Sequence, residues 1–402
     1  MVLAEQQARR GARSKKIVLL VMDGLGGLPH PDTGRTELET ARTPNMDALA
    51  GHASLGMMVM VAEGITPGSG PGHLSLFGYD PARYVIGRGA LSALGVGLEL
   101  KPGDVAVRLN LATFDDDGLV ADRRAGRPVD AEAARVVELV QRELDVAADV
   151  TVTLVPEREH RVVLHLRGAA LGGAALTDTD PLETGRPALA VKAVDDHSRA
   201  TAEVVNEVLG QSRRILAREP AMNGFLARGF AAFERYPTMA ERFGLEGVVL
   251  ARYPMYRGVA RMVGMTVPSV PESTEDTVTQ LEHCWGESDL YFLHFKDTDT
   301  CGHDGDFDGK VAAIEEVDAL ISRITALGPG VLIITGDHST PALYREHSWH
   351  HVPVLLASQW PRSTARAFGE ASCRRGDLGL IHATSLLPLA LAHAGRLVKY
   401  GA

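Results

Sequence analysis

Three apolar segments of this chain each run without a break into acidic residues. Lys16–Met22 (KIVLLVM) ends at Asp23. Leu290–Phe295 (LYFLHF) ends at Lys296-Asp297-Thr298-Asp299, and Val331–Thr335 (VLIIT) at Gly336-Asp337-His338. Such an unalternating run is the pattern of a strand covered on both faces. Open α/β sheets place their ligand sites beyond the carboxyl ends of such strands. The expected fold is therefore α/β, a doubly wound and mostly parallel sheet, with Asp23, Asp299 and Asp337 gathered at one edge. Imidazoles accompany the acids. His303 lies four residues beyond Asp299, His338 adjoins Asp337, and His347 precedes the apolar run at 352–356. His350 and His351 are close enough to His347 to be alternatives to it. Oxygen and imidazole donors together suit Mn²⁺, Zn²⁺ or Mg²⁺. This many donors suggest a two-metal centre, whose ions sit about 3.5–4 Å apart and clamp attacking and leaving oxygens.

A nucleophile is available in Gly68-Ser69-Gly70-Pro71-Gly72. A metal beside Ser69 would lower its pKa, and N–H groups at a helix start after it would hold phosphate oxygens. These parts together make phosphoryl transfer through a phosphoserine. The run Gly24-Leu25-Gly26-Gly27-Leu28-Pro29 fails as a dinucleotide loop, because Pro29 stands where a third glycine is required.

The formal net charge of −10 argues against a nucleic-acid or anionic-membrane partner. Cys284, Cys301 and Cys373 are too few and too scattered for a disulfide framework, which fits a reducing compartment. Residues 1–14 are basic without an apolar core, so a loose tail over 1–15 is expected, not a signal peptide. No apolar stretch is long enough to span a bilayer. The expected location is cytoplasmic.

The strand texture changes near residue 100. Val105–Phe114 and Gly118–Arg123 read as a hairpin around Asp115-Asp116-Asp117-Gly118, and Asp130–Leu144 reads as a helix. Val150–Val155 and Arg161–Arg167 read as strands, and the Gly/Pro-rich stretch 168–197 as a connector. Residues 101–194 are thus expected to form an inserted α+β domain. The core would comprise 16–100 and 195–402. Within it, Thr43 is expected to cap the helix that opens at Pro44.

Further motifs extend this pattern. They are Thr43-Pro44-Asn45-Met46-Asp47, Thr66-Pro67-Gly68-Ser69, His73 through Pro81, Gly87-Arg88-Gly89, Glu159-His160-Arg161, Thr177-Asp178-Thr179-Asp180-Pro181, Gly258 through Met265 and Asp299 through Gly305. With these residues the chain resembles the alkaline phosphatase superfamily. Within it, the chain is most similar to the archaeal-type, cofactor-independent phosphoglycerate mutases. The resemblance implies an isomerase that interconverts 3- and 2-phosphoglycerate without 2,3-bisphosphoglycerate. It implies one metal on Asp23, Ser69, Asp337 and His338, and another on Asp299, His303 and His347. The ions would be Mn²⁺ first, with Mg²⁺, Zn²⁺ or Co²⁺ possible. It also implies that the insertion caps the site. There His160 and Arg161 would grip the substrate, with Asp178 or Asp180 as proton carrier, while Arg261 and Lys296 would face the phosphate. The chain departs from the family around Ser69, where Gly70-Pro71-Gly72 replaces more polar neighbours. A metal-dependent phosphatase or phosphodiesterase and a phosphopentomutase are the competing functions. The motif Glu159-His160-Arg161 favours the glycerate enzyme over the last of these.

Overall fold

The computed structural model describes Glu5, Ala8 and residues 15–146, 149–361 and 363–401. The expected tail over 1–15 therefore lies almost wholly outside the described residues. The chain divides into two compact units, Met1–Val85 with Tyr236–Ala402, and Ile86–Arg235.

The first unit begins with β1 (Ile17–Met22) and β2 (Ala53–Val59). The second unit holds β3 (Val105–Phe114), β4 (Val120–Asp122), β5 (Val150–Arg158), β6 (Arg161–Gly168) and β7 (Gly224–Ala232). The chain then completes the first unit with β8 (Gly247–Ala251), β9 (Leu290–Phe295), β10 (Val331–Thr335), β11 (Val352–Ser358) and β12 (Gly379–His382).

In the first unit the sheet order is β12-β2-β11-β10-β1-β9-β8. Only β11 runs antiparallel to its neighbours. The three acid-tipped strands are adjacent, with β1 between β10 and β9. Their ends are level, since Val21 pairs with Thr335 and Met22 with Phe295. Every residue of these three strands is buried, as an apolar run covered on both faces requires. Val18, Leu20 and Met22 pack with Val278 and Leu281 of helix Thr274–Cys284 and with Ile314, Val317 and Ile321 of helix Phe307–Ala326. Burying each such side chain contributes about 1.5–3 kcal/mol. Ile17, Leu19 and Val21 on the opposite face are equally covered.

Thr43 does not cap its helix through the hydroxyl, which instead donates to Asp47 Oδ1 at 3.2 Å. The free N–H groups of Asn45 and Met46 go to the Asp318 carboxylate at 3.2 and 2.8 Å. A long-range acid has replaced the local cap, which no local pattern announces.

The second unit is an antiparallel sheet in the order β4-β3-β6-β5, with β7 on the other side of β3. Its bounds are wider than the expected 101–194. Helix Arg88–Gly95 packs against β3 and β7, and helix Arg199–Ile215 adds Val205 and Val208 to the apolar cluster of Val107, Leu109 and Leu164. β7 completes the sheet by pairing along most of β3. These elements join the insertion because its sheet, and not the parallel one, covers their apolar faces.

Candidate active site

Ser69 opens the helix Ser69–Leu76, with Gly68 as its N-cap. That helix meets the strand ends closely. A Cβ on Gly72 would lie 2.2 Å from the Asp337 carbonyl oxygen, so only glycine lets the two backbones approach. Gly24, at φ +63°, turns the chain away immediately after Asp23, and a Cβ there would strike the Thr340 hydroxyl at 2.4 Å.

Around this frame the structure gathers Asp23, Ser69, Asp337 and His338. The Ser69 hydroxyl lies 3.1 Å from His338 Nε2. That nitrogen is 3.2 Å from Asp23 Oδ1 and 3.2 Å from Asp337 Oδ2. A second group adjoins it. Asp299 Oδ1 is 3.5 Å from His347 Nε2 and 3.6 Å from His303 Nε2. His350 and His351 turn elsewhere, to Ser348 and Glu63.

The proton positions follow from the partners. His347 Nδ1 faces the Pro67 carbonyl at 3.0 Å and His303 Nδ1 the Arg345 carbonyl at 3.1 Å. Carbonyls only accept, so both Nδ1 atoms carry a proton and both Nε2 atoms are turned toward Asp299. Thr340 gives its single hydroxyl proton to Asp299 Oδ1 at 2.7 Å, so it accepts from His338 Nδ1 at 3.0 Å. His338 Nε2 is thereby turned toward Asp23 and Asp337. Second partners commonly fix metal-binding imidazoles in this way.

The carboxylates are sorted likewise. Asp23 Oδ2 takes the protein's donors, Lys296 Nζ at 2.9 Å and the Tyr256 hydroxyl, while His294 Nε2 lies 3.3 Å away without a hydrogen bond. Asp337 Oδ1 accepts the Gly24 N–H at 3.1 Å. Asp23 Oδ1 and Asp337 Oδ2 are buried without a hydrogen bond. Uncompensated buried carboxylate oxygens facing an imidazole nitrogen suit a bound cation.

The electrostatics agree. Burial pushes the Asp23 carboxyl up, but Lys296 and then His294 hold it well below its ordinary range. Burial also opposes ionisation of Asp299, yet the His347 contact and Lys296 keep it low. The Lys296 ammonium is disfavoured by burial and held above its ordinary pKa by Asp23 and Asp299.

Sequence reading gave no individual role to Tyr256, His294, His73 or Thr340. Tyr256 stacks on His294 with centroids 3.6 Å apart, and His73 Nδ1 lies 3.2 Å from Asp337 Oδ2 and 2.8 Å from the Ser69 carbonyl. A histidine inside the apolar run LYFLHF and one four residues beyond Ser69 were the available signals.

Of the other expected residues, Arg261 lies half-buried on helix Pro254–Met262. His160, Arg161, Asp178 and Asp180 lie in the second unit. Arg161 joins Arg108 and Arg228 on the sheet face opposite the apolar cluster. Arg108 pairs directly with Arg228, and Asn110 with Arg161. Arg108 Nε and Arg161 Nε are buried without a partner. Like charges facing across strands destabilise a sheet unless an anion joins them. Burial, then Arg161, pulls the His160 imidazole down to about 4, so it is neutral at physiological pH. Asp178 Oδ1 accepts the Gly229 N–H at 3.0 Å, beside Arg228. Asp180 is committed otherwise: Arg123 binds both its oxygens, at 2.7 and 2.8 Å.

A glycine-framed serine against buried acid and imidazole donors, at the strand ends of a doubly wound sheet, defines a class: metal-dependent enzymes of phosphoryl transfer. The family profile for 2,3-bisphosphoglycerate-independent phosphoglycerate mutase matches residues 50–222. A Thermus thermophilus protein named as a probable enzyme of this kind is 51% identical over 96% of both chains, and one from Thermotoga neapolitana is 48% identical over 96% of both. Among solved structures, the cofactor-independent phosphoglycerate mutase of Thermoplasma acidophilum matches with a TM-score of 0.74 at 28% identity, over 95% of this chain and 100% of that one. A Pyrococcus horikoshii protein matches at 0.82 and 29% identity, over 97% and 100%. The chain belongs to the 2,3-bisphosphoglycerate-independent phosphoglycerate mutase family.

Proposed function

We infer that this chain interconverts 3-phosphoglycerate and 2-phosphoglycerate, with Ser69 carrying the phosphoryl group between the two hydroxyls. Two divalent cations, Mn²⁺ in the first instance, would be held by Asp23, Ser69, Asp337 and His338 and by Asp299, His303 and His347. The observation that carries this reading is the convergence of the Ser69 hydroxyl, two unpartnered carboxylate oxygens and His338 Nε2. Bound there, the cations supply charge neutralisation and a lowered hydroxyl pKa.

The chain's own part is positioning. Ser69 Oγ attacks the phosphorus in line, and the 3-oxygen of glycerate leaves and takes a proton. The helix that Ser69 opens adds its N-terminal field to the phosphoryl oxygens. Glycerate reorients, its 2-hydroxyl gives up a proton, and the phosphoryl group returns to that oxygen. Arg108, Arg161 and Arg228 recognise the substrate carboxylate, for which a planar guanidinium is suited. Asp178 is the better proton carrier, because Arg123 occupies both oxygens of Asp180. Lys296 spans Asp23 and Asp299 and is the first candidate contact for the phosphate. Arg261 is the second candidate contact for the phosphate. A three-carbon glycolytic substrate supports a cytoplasmic location. No helix among the described residues is long and apolar enough to cross a membrane.

The test is product analysis from 3-phosphoglycerate, with chelation and Mn²⁺ add-back. The expected product is 2-phosphoglycerate with little free phosphate, abolished by chelation and restored by Mn²⁺. Ser69→Ala should lose on the order of 10⁴-fold or more. Stoichiometric free phosphate would make the enzyme a phosphatase, and activity surviving in Ser69→Ala would end the phosphoserine route.

A further inference from the structure

Helix Phe307–Ala326 carries one lysine that its apolar surroundings do not explain. Lys310 is fully buried. Its buried helix neighbours Ala313, Ile314 and Val317 are apolar. Burying an ammonium costs several kcal/mol, so its contacts must return that cost. All three of its protons are used. Nζ donates to the carbonyls of Gly24 at 2.9 Å, Gly26 at 3.1 Å and Thr340 at 2.9 Å. Glu37, at 3.7 Å, lies outside hydrogen-bond range and only balances the charge. Its Oε1 accepts the Ala342 N–H at 2.8 Å.

Those carbonyls belong to the loops that deliver the site. Gly24 follows Asp23, and its N–H holds Asp337 Oδ1 at 3.1 Å. Thr340 holds Asp299 with its hydroxyl proton and His338 with its oxygen lone pair. One ammonium is thus a single residue removed from Asp23, Asp337, Asp299 and His338 while touching none of them.

We propose that Lys310 is a positioning residue which ties the loop after β1 to the loop after β10 and thereby sets the geometry of both groups of metal-binding side chains. The inference rests on the cation-binding reading above. Its prediction is specific: cation affinity depends on the carbonyl contacts and not on the ion pair with Glu37.

Two variants separate these. Lys310→Met combined with Glu37→Gln removes the ammonium and the charge it balances. Glu37→Gln alone leaves the three carbonyl bonds in place. The readouts are Mn²⁺ binding, followed by the electron paramagnetic resonance of free Mn²⁺, and thermal unfolding of the metal-free protein. The double variant should melt lower, because three buried carbonyls lose a donor, yet still unfold cooperatively, and should bind Mn²⁺ about 10–100-fold more weakly, the usual cost of losing a supporting partner. Glu37→Gln alone should keep wild-type affinity. Wild-type Mn²⁺ affinity in the double variant would overturn the proposal. So would a ten-fold or greater loss of Mn²⁺ affinity in Glu37→Gln alone, and that arm stands even where removing Lys310 prevents folding. A wild-type protein that binds no Mn²⁺ would instead remove the cation reading itself.

Discussion

The two units concentrate opposite charges by different means. In the first, Asp23, Asp299 and Asp337 are buried behind parallel strands, and their outward oxygens face imidazole nitrogens. In the second, Arg108, Arg161 and Arg228 share one face of an antiparallel sheet, two of them with buried nitrogens that lack acceptors. Neither arrangement stabilises the fold by itself, since buried charge is costly and Lys296 offsets only part of it among the acids. Each fits the proposed ligand of the other sign: a cation for the acids and an organic anion for the arginines. The acid site is assembled from fixed strand ends and suits a small ion of demanding geometry. The arginine face is a flat array suited to a planar carboxylate.

The sharpest way to break this contrast is to remove one charge from each side. Asp337→Asn should lower turnover by at least roughly 10⁴-fold, about 5.5 kcal/mol of transition-state stabilisation. Mn²⁺ titration should show weakened binding in the same variant. Arg108→Met should lower kcat/KM by on the order of 10³-fold, about 4 kcal/mol, while Mn²⁺ affinity stays at the wild-type value. Steady-state kinetics beside Mn²⁺ titration tests both. If Arg108→Met weakened Mn²⁺ binding as Asp337→Asn does, the separation of the two ligand types would fail.

The two sites also differ in how far they can be read from sequence. An apolar strand ending in an acid is a local pattern, so Asp23, Asp299 and Asp337 could be named without coordinates. The arginine face could not, because β3 reads as an alternating strand in which Arg108 and Asn110 resemble a solvent face. Only the pairing of β3 with β6 and β7 sets Arg108, Arg161 and Arg228 together, and β7 lies over a hundred residues from β3 in the chain. The same limit misplaced the insertion's bounds, since helices Arg88–Gly95 and Arg199–Ile215 belong to whichever sheet buries them. Thr340 and Lys310 were invisible for a similar reason. Their partners come from loops far away in sequence.

A third charged place lies between these extremes. Glu370 is buried, with its oxygens receiving Gly27 N–H at 3.1 Å and the Thr36 hydroxyl at 2.6 Å. Burial raises its pKa to about 7, from an ordinary 4.5, despite the Thr36 hydrogen bond. A carboxyl raised in the folded state gives its full stability below the unfolded pKa. That stability is lost as pH climbs through the folded one. The native protein should therefore lose about 3 kcal/mol between roughly pH 4.5 and pH 7, with no further change from this group above that. Glu370→Gln should be more stable than the wild type at pH 8, and the gap should close toward pH 5 in urea titrations. A gap independent of pH would show that Glu370 is ionised throughout, and that the first unit tolerates an acid without a cation.

The smallest effect is expected at Asp180, where the two units' logic can be confused. It is an acid in the arginine-bearing unit, and by position it could be the proton carrier. Its surroundings oppose that role. Burial would raise its pKa, but the hydrogen bonds from Arg123 and the Leu182 N–H lower it, so it resists taking a proton at neutral pH. Asp180→Asn should cost stability, about 1–3 kcal/mol for a broken charge-assisted pair. It should change kcat by less than about ten-fold, which is under roughly 1.4 kcal/mol. Asp178→Asn should instead remove a limb of the pH–rate profile. If Asp180→Asn kept wild-type stability and lost that limb, the proton would travel through Asp180. The Arg123 pair would then have to open during turnover, and the second unit could no longer be read as a fixed array of charges.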